Sequence, residues 1–264
     1  MFKRKKEEIR KERFTTKRDN LQIVGEEYRK EGSSLPIAIV SHGFMANMST
    51  TRGYAKYLAE LGYCAYCFDF CGGSIAGNKS DGKTTEMSAL TEVQDLEAVI
   101  RYAKSRAYTD ENAVLLMGCS QGGFVSGIVA GKNREDVKQL ILFYPALCIP
   151  DDARSGSMMN SRFDPLHVPE TFRCGPMKLG RRYAEDVNQL DPYELLEGYE
   201  KDVLIVHGNQ DKIVNISYSN TMIQRYRSKG LDRKCEYCVI DKAGHGFKKK
   251  EDVIAREAIW KFVG

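Results

Sequence analysis

The chain has 264 residues, of which 42% are hydrophobic and 29% are charged, and its formal net charge is +4. This length can bury a large core, and the composition is that of a globular protein. The charge is spread along the chain, which argues against nucleic-acid binding as the main task, and no apolar run has the length needed to span a bilayer.

The N-terminal segment MFKRKKEEIRKER is charged and has no apolar stretch behind it. We therefore expect no signal peptide and a cytoplasmic location. In such a compartment the 8 cysteines are expected to be reduced. Residues 7–18 and 20–29 alternate in polarity and predict two polar strands joined by a turn.

From residue 35 onward, short apolar strands alternate with helices. This alternation predicts an α/β fold, with a mostly parallel, doubly wound sheet of about eight strands and helices on both faces. The periodicity breaks down between residues 148 and 199, where we expect a small lid insertion. The predicted units are thus a first core segment (1–147), the lid (148–200) and a second core segment (201–264).

Two C-x-x-C spacings suggest a metal site, Cys64/Cys67 and Cys235/Cys238. Both pairs fall in apolar runs that predict strands, GYCAYCFDF and KCEYCVI. Side chains three apart on a strand point to opposite faces, so neither pair can grip one ion. We expect these cysteines to pack as small hydrophobic residues and predict no metal site.

Residues 77–84, GNKSDGKT, match the pattern of a phosphate-binding loop. However, residues 71–76 separate the match from the preceding strand, and the next helix is expected to begin near Thr85, with Thr84 or Thr85 as its N-cap. No later apolar strand ends in an acidic metal ligand, which a nucleotide hydrolase needs. The segment therefore predicts a flexible glycine-rich loop.

The run GCSQGG, residues 118–123, lies between a predicted strand and a predicted helix and matches the nucleophile elbow G-x-S-x-G. The tight turn strains the backbone of the central residue and requires small residues two positions before and after it. Ser120 would then present its hydroxyl at the carboxyl edge of the sheet. Cys119 occupies the wrong position of the pentapeptide to be the nucleophile.

A serine needs a histidine to take its proton and an acid to orient that histidine. On this fold the chain order is serine, acid, histidine. Of the 4 histidines, His245 alone follows the last strand, in a glycine-flanked loop. We expect His207, which closes a strand, to pack there. Asp211 is the expected acid, and Asp241 is an alternative that lies too near His245 in sequence.

An oxyanion hole needs two N–H donors. One is expected from Gln121, which follows the nucleophile. The other is expected from Phe44, in the loop VSHGFMAN after an early apolar strand.

With these motifs in order, the chain resembles serine α/β-hydrolases, and more narrowly the bacterial cinnamoyl/feruloyl esterases. The resemblance rests on HGF, SDGK, GCSQGG, HGNQD and GHGF, and on VPETF and LGRRYAEDVNQLDPYE in the insertion. It implies an acyl-enzyme esterase without a cofactor that acts on hydroxycinnamoyl or other small aromatic acyl esters. The chain departs from the family's G-H-G at CGGSIAG, which changes the rim of the site.

The resemblance also implies that an aspartate near the start of the lid binds the phenolic hydroxyl, and Asp152 occupies that position, with Asp151 beside it. The expected partner is a small-molecule ester, with no nucleic acid and no membrane span, and a homodimer is left open. A general carboxylesterase or monoacylglycerol lipase, a serine aminopeptidase and a non-catalytic binding protein remain alternatives. The expected walls of an apolar acyl slot are Met158, Met159, Phe163, Phe172 and Tyr183.

Overall fold

The computed structural model describes residues 8–264, and within them the chain folds around one eight-stranded sheet. The expectations placed on residues 1–7 lie outside the described range. The strands, of which β7 to β10 form two small separate hairpins, are β1 (Arg10–Arg18), β2 (Leu21–Arg29), β3 (Leu35–Ser41), β4 (Cys64–Phe68), β5 (Thr109–Cys119), β6 (Val137–Phe143), β7 (Ser157–Met158), β8 (Ser161–Arg162), β9 (Thr171–Cys174), β10 (Met177–Gly180), β11 (Asp202–Gly208) and β12 (Cys235–Ile240).

The helices connect these strands and cover the sheet. A short 3₁₀ helix, Met48–Thr50, precedes the first of them. The α-helices are α1 (Arg52–Glu60), α2 (Ala89–Lys104), α3 (Gln121–Lys132), α4 (Ile149–Arg154), α5 (Arg182–Glu185), α6 (Pro192–Glu197), α7 (Ser217–Ser228) and α8 (Lys249–Val263).

The sheet has the strand order β1-β2-β4-β3-β5-β6-β11-β12. The six strands from β4 to β12 in this order are parallel, whereas β2 runs antiparallel to both β1 and β4. The prediction of a mostly parallel sheet of about eight strands is therefore confirmed. Because parallel strands end at the same edge, the loops after β3, β5, β11 and β12 meet there.

Alternation along the strands divides the core into two layers. On β3, Ile37 and Ile39 face the layer that contains α2, α3 and α7. Ala38 and Val40 face the opposite layer, which contains α1 and α8. Helices thus cover both faces of the sheet, which is why β4 is buried along its whole length and β3 from Ile37 to Ser41. Among the described helices, none combines the length and apolarity needed to cross a bilayer.

The loop that carries GNKSDGKT is held by its own polar groups. Lys79 N–H donates to Asp69 Oδ2 at 2.7 Å, and Ser80 Oγ donates to the Asp69 carbonyl at 2.6 Å. The exposed ammonium of Lys83 lies 3.2 Å from Glu86 Oε1. These contacts are those of a folded surface loop, in agreement with the reading of the motif as a loop.

The predicted start of the following helix was wrong. Helix α2 begins at Ala89, and its N-cap is Ser88 rather than Thr84 or Thr85. Ser88 and Thr91 form a reciprocal capping box, which satisfies two N–H groups of the first turn. The Thr84 hydroxyl instead donates to the Lys178 carbonyl at 2.5 Å, so it ties the loop to the hairpin β9–β10.

Candidate active site

Ser120 lies at the turn between β5 and α3 with φ 55° and ψ −122°, a backbone conformation that residues other than glycine rarely adopt. The turn is tight because two glycines pass close to other backbone atoms. A Cβ on Gly118 would lie 2.1 Å from the Gly122 carbonyl oxygen, and a Cβ on Gly122 would lie 2.3 Å from the His42 carbonyl oxygen. The glycines of the motif are therefore required by packing, and they aim the Ser120 side chain out of the sheet edge.

The structure brings Ser120, His245 and Asp211 into one hydrogen-bonded row. His245 Nε2 lies 2.9 Å from Ser120 Oγ, and His245 Nδ1 lies 2.7 Å from Asp211 Oδ2. The alternative acid, Asp241, instead accepts a hydrogen bond from Asn209 Nδ2 at 2.9 Å. Between the two aspartates considered, the one in contact with His245 is Asp211.

The Asp211 carboxylate is buried and fully engaged. Its Oδ1 accepts from the N–H groups of Ile213 at 2.8 Å and Val214 at 3.0 Å. Burial alone would raise the pKa of Asp211, but the hydrogen bonds from His207, His245 and these two N–H groups bring the pKa well below its usual range. The group is therefore ionised at neutral pH.

His207 is a component of the site that the sequence reasoning missed. Its Nε2 lies 3.2 Å from both Asp211 Oδ2 and the Val214 carbonyl, which are acceptors, so this nitrogen carries a proton. Its Nδ1 lies 2.7 Å from Ser219 Oγ and can accept from that hydroxyl. The side chain was expected to be mere packing at the end of β11. The sequence HGNQD contained a signal for this contact, because His207 and Asp211 are only four residues apart and the turn after β11 brings the aspartate back to the end of the strand.

The loop after β3 crosses directly over Ser120, and His42 sets its conformation. His42 Nε2 accepts from the Phe70 N–H at 3.1 Å, so the proton sits on Nδ1, which donates to the Gly43 carbonyl at 2.8 Å. Burial lowers the pKa of His42, which keeps this neutral form. In a trans peptide the Phe44 N–H points away from the Gly43 carbonyl. A Cβ on Gly43 would lie 3.1 Å from Ser120 Cβ, so this peptide is next to the nucleophile.

Gln121, the first residue of α3, has its side chain fixed at both ends. Its Nε2 donates to Glu92 Oε2 at 2.8 Å, and its Oε1 accepts from the Tyr183 hydroxyl at 2.5 Å. The backbone N–H belongs to the free first turn of the helix, where N–H groups have no intrahelical partner. Phe44 and Gln121 both line the cleft in front of Ser120.

This cleft has a volume of about 60 Å³, which is small for a ligand site. Asp152 lies at its wall, and burial raises the pKa of its carboxyl. The neighbouring Asp151 is turned elsewhere, where it accepts from the Tyr218 hydroxyl at 2.6 Å and pairs with Arg154. The residues around the cleft are Phe44, Ser120, Gln121, Ala146, Ile149, Asp152, Met158, Met159, Cys174, Tyr183, Ile213 and Val214.

The predicted walls of the acyl slot were right in part. Met158, Met159 and Tyr183 line the cleft. Phe163 and Phe172 do not, because their rings pack on each other with centroids 4.9 Å apart and form the insertion's own small core.

Cys119, the rival nucleophile, is buried beside Ser120. Burial raises the pKa of its thiol to about 12, against which a hydrogen bond with Tyr144 acts only in part. The thiolate needed for attack is therefore scarce at neutral pH. Across residues 8–264, no group of three or more His, Cys, Asp or Glu side chains is arranged to hold a metal ion.

Comparison with known proteins places most of the chain on this fold. The sequence profile described as the prolyl oligopeptidase family matches residues 49–263. No curated protein matches the chain.

Several solved structures superpose on nearly all of it. Est1E from Butyrivibrio proteoclasticus with bound ferulic acid has a TM-score of 0.83 and 24% identity, over 95% of this chain and 99% of that one. The complex of DcsB with its substrate analogue has a TM-score of 0.76 and 20% identity, over 96% and 98%. Acetyl xylan esterase 1 from Thermoanaerobacterium sp. has a TM-score of 0.67 and 18% identity, over 100% and 86%.

Proposed function

Because this chain belongs to the prolyl oligopeptidase family of serine hydrolases and has the α/β-hydrolase fold, we propose that it hydrolyses carboxylic esters through an acyl-enzyme. The observation that carries the proposal is the row Ser120–His245–Asp211, which lies beside a narrow cleft with mostly apolar walls. A serine in hydrogen-bond contact with a histidine that an ionised aspartate orients is the arrangement that nucleophilic acyl transfer requires.

The reaction would begin at Ser120. His245 Nε2 accepts the hydroxyl proton while Oγ attacks the ester carbonyl, and the N–H groups of Phe44 and Gln121 donate to the oxyanion that forms. The protonated His245 is stabilised by the ionised Asp211 and then gives its proton to the leaving alcohol. A water molecule, deprotonated by His245, repeats the sequence on the acyl-enzyme and releases the acid. No step needs a cofactor.

For the acyl group we propose a hydroxycinnamate or another small planar aromatic acid. The walls near Ser120 include the unbranched side chains of Met158 and Met159, which can adjust to a flat group larger than the cleft. Asp152 supplies a carboxyl at the wall, where a phenolic hydroxyl could donate to it. The likeness to Est1E, whose structure holds ferulic acid, supports the same choice.

Asp152→Ala tests the acyl group. For a p-hydroxycinnamate ester, kcat/KM is expected to fall roughly 10- to 100-fold, as loss of a hydrogen bond to a carboxylate predicts. The unsubstituted cinnamate and acetate esters of the same alcohol should be hydrolysed at nearly unchanged rates. Asp151→Asn is the matched control, because that carboxylate is turned to Tyr218 and Arg154.

Equal losses on all three esters would give Asp152 a structural role, and no loss on any would leave a general carboxylesterase.

The peptidase family match favours a serine aminopeptidase as the second candidate. An aminoacyl naphthylamide hydrolysed faster than every ester, with loss of both activities in Ser120→Ala, would make it the better description.

A further inference from the structure

We propose that Glu92 and Tyr183 are positioning residues of the oxyanion hole, which they hold through the side chain of Gln121. The inference rests on the proposed function, because it assigns the Gln121 N–H to the oxyanion of that reaction. It gives a role to a buried carboxyl and to a residue of the insertion that take no part in the proton transfers.

The three residues form one buried chain of hydrogen bonds across three separate segments. Glu92 lies in the first turn of α2, Gln121 begins α3, and Tyr183 lies in α5 of the insertion. Glu92 and Gln121 are 1% exposed, and Tyr183 is 3% exposed. The Gln121 amide donates a hydrogen bond to Glu92 Oε2 and accepts one from the Tyr183 hydroxyl, so both its nitrogen and its oxygen have a partner.

This anchoring acts on the backbone. The N–H of Gln121 belongs to the peptide that follows Ser120, whose own backbone is held at φ 55°. A side chain fixed at both ends restricts rotation about its own bonds and keeps the first turn of α3 in place. A donor that points at the oxyanion before the reaction begins stabilises the transition state without reorganisation.

Glu92 acts here through its hydrogen bond with the Gln121 side chain. Burial raises the pKa of Glu92 well above its usual range, the hydrogen bond from Gln121 lowers it only in part, and the nearby Asp95 raises it further. A glutamine at this position has nearly the same shape and also offers an oxygen to the Gln121 amide.

Tyr183 also contacts the other proposed donor. Its ring lies against Phe44, with centroids 5.4 Å apart and an angle of 40° between the planes. One side chain of the insertion thus touches both Phe44 and Gln121. The placement of the insertion and the geometry of the oxyanion hole are coupled through it.

The first test is Tyr183→Phe, which keeps the ring against Phe44 and removes the hydroxyl. We expect kcat to fall about 10-fold, with KM changed less than about 3-fold, because the displaced donor matters most in the transition state. The loss should be the same for acetate, cinnamate and p-hydroxycinnamate esters. Tyr199→Phe is the matched control, since this buried hydroxyl donates to the Asp202 carbonyl at 3.2 Å, outside the cleft.

The second test compares Glu92→Leu with Glu92→Gln. Glu92→Leu should lose about 10-fold in kcat, and Glu92→Gln should recover most of that loss. Combined with Tyr183→Phe, Glu92→Leu should cost little more than either change alone, because both act through one side chain. Thermal melts identify any variant that fails to fold, and Tyr183→Phe, which removes only a hydroxyl, then decides the result.

A readout independent of the ester is the rate at which a fluorophosphonate labels Ser120. Such a reagent reacts with the nucleophilic serine of serine hydrolases whatever their substrate. Labelling should slow about as much as kcat falls. If no ester is hydrolysed but labelling slows in this way, the ester function fails and the positioning role stands. A loss confined to p-hydroxycinnamate would overturn the proposal by placing the Tyr183 hydroxyl on the substrate. Unchanged kcat and labelling in Tyr183→Phe would also overturn it, because the hydrogen bonds of Gln121 would then be packing contacts without a role in the oxyanion hole.

Discussion

His207 and His245 both contact the same carboxylate oxygen of Asp211, at 3.2 Å and 2.7 Å respectively. The oxygen therefore has two imidazole partners, of which one faces Ser120 and the other is fully buried. The buried imidazole limits how the carboxylate can rotate, and so it helps to orient the imidazole that faces Ser120.

Replacement of His207 by Leu is expected to lower kcat/KM about 10-fold, because Asp211 loses one of its donors and gains freedom to turn. The measurement is steady-state hydrolysis of a nitrophenyl ester. Ser219→Ala is the control, since it removes the partner of His207 Nδ1 and leaves the contact with Asp211 in place. Wild-type rates in His207→Leu would show that the other three donors suffice.

Changing each candidate aspartate to asparagine tests which of them orients His245. Asp211→Asn should lower kcat by about 10⁴, as removal of the orienting carboxylate does in serine proteases. Asp241→Asn should change kcat little, because this carboxylate holds Asn209 and does not contact His245. Ser120→Ala and the double variant with His245→Ala should lose similar amounts, since the residues act as a unit. The opposite ranking of the two aspartates would make Asp241 the acid.

Replacing Lys83 tests whether the glycine-rich loop binds a nucleotide. Lys83→Ala should leave ester turnover within about 2-fold of wild type, because the one ion pair of its ammonium within residues 8–264 is with the exposed Glu86. Calorimetry with ATP and GTP should show no binding. Micromolar affinity that disappears in Lys83→Ala would restore the nucleotide interpretation of GNKSDGKT.

Glu26 predicts an acid limit to stability. Its carboxylate accepts from Arg52 through two hydrogen bonds, at 2.6 and 2.9 Å, and pairs with Lys11 at 2.9 Å. Burial raises the pKa of Glu26, but the hydrogen bonds from Arg52, Tyr28 and Lys11 outweigh it and lower the pKa from 4.5 to about 2. Since the unfolded chain binds the proton more readily, the stabilisation is present above pH 4.5 and is lost as the pH falls towards 2.

Since one pKa unit corresponds to about 1.4 kcal/mol, the stabilisation from this shift is roughly 3 kcal/mol at neutral pH. Urea unfolding of wild type and Glu26→Gln should show that difference at pH 7, and the difference should shrink steadily below pH 4.5. A difference that is constant between pH 7 and pH 3 would mean that the carboxylate's charge adds nothing to folding.

Much of this site could be predicted because its signals are local. The elbow needs glycines at fixed positions around Ser120, and the chain order of acid and histidine follows from the fold. The choice of Asp211 over Asp241 as the residue next to His245 used the same logic, since the loop after β11 meets the loop after β12 at one edge of the sheet.

What the sequence did not reveal depends on contacts between distant segments. The start of α2 was misplaced because Thr84 and Ser88 are both good caps, and the hairpin β9–β10 provides a partner for Thr84. Phe163 and Phe172 were assigned to the cleft because an irregular segment has no period from which to read an inward face. The bond between Tyr183 and Gln121 spans 62 positions and has no local pattern at all.

The contacts of Tyr183 bear on how this enzyme can be engineered. Insertions over an α/β sheet are natural targets for exchange between homologues, on the view that the core supplies reactivity and the insertion supplies selectivity. Here a chimera that replaces residues 148–200 loses a partner of Gln121 as well as several of the residues that line the cleft. A donor segment should therefore be chosen first for a tyrosine that reaches Gln121, and only then for the acyl group that it admits.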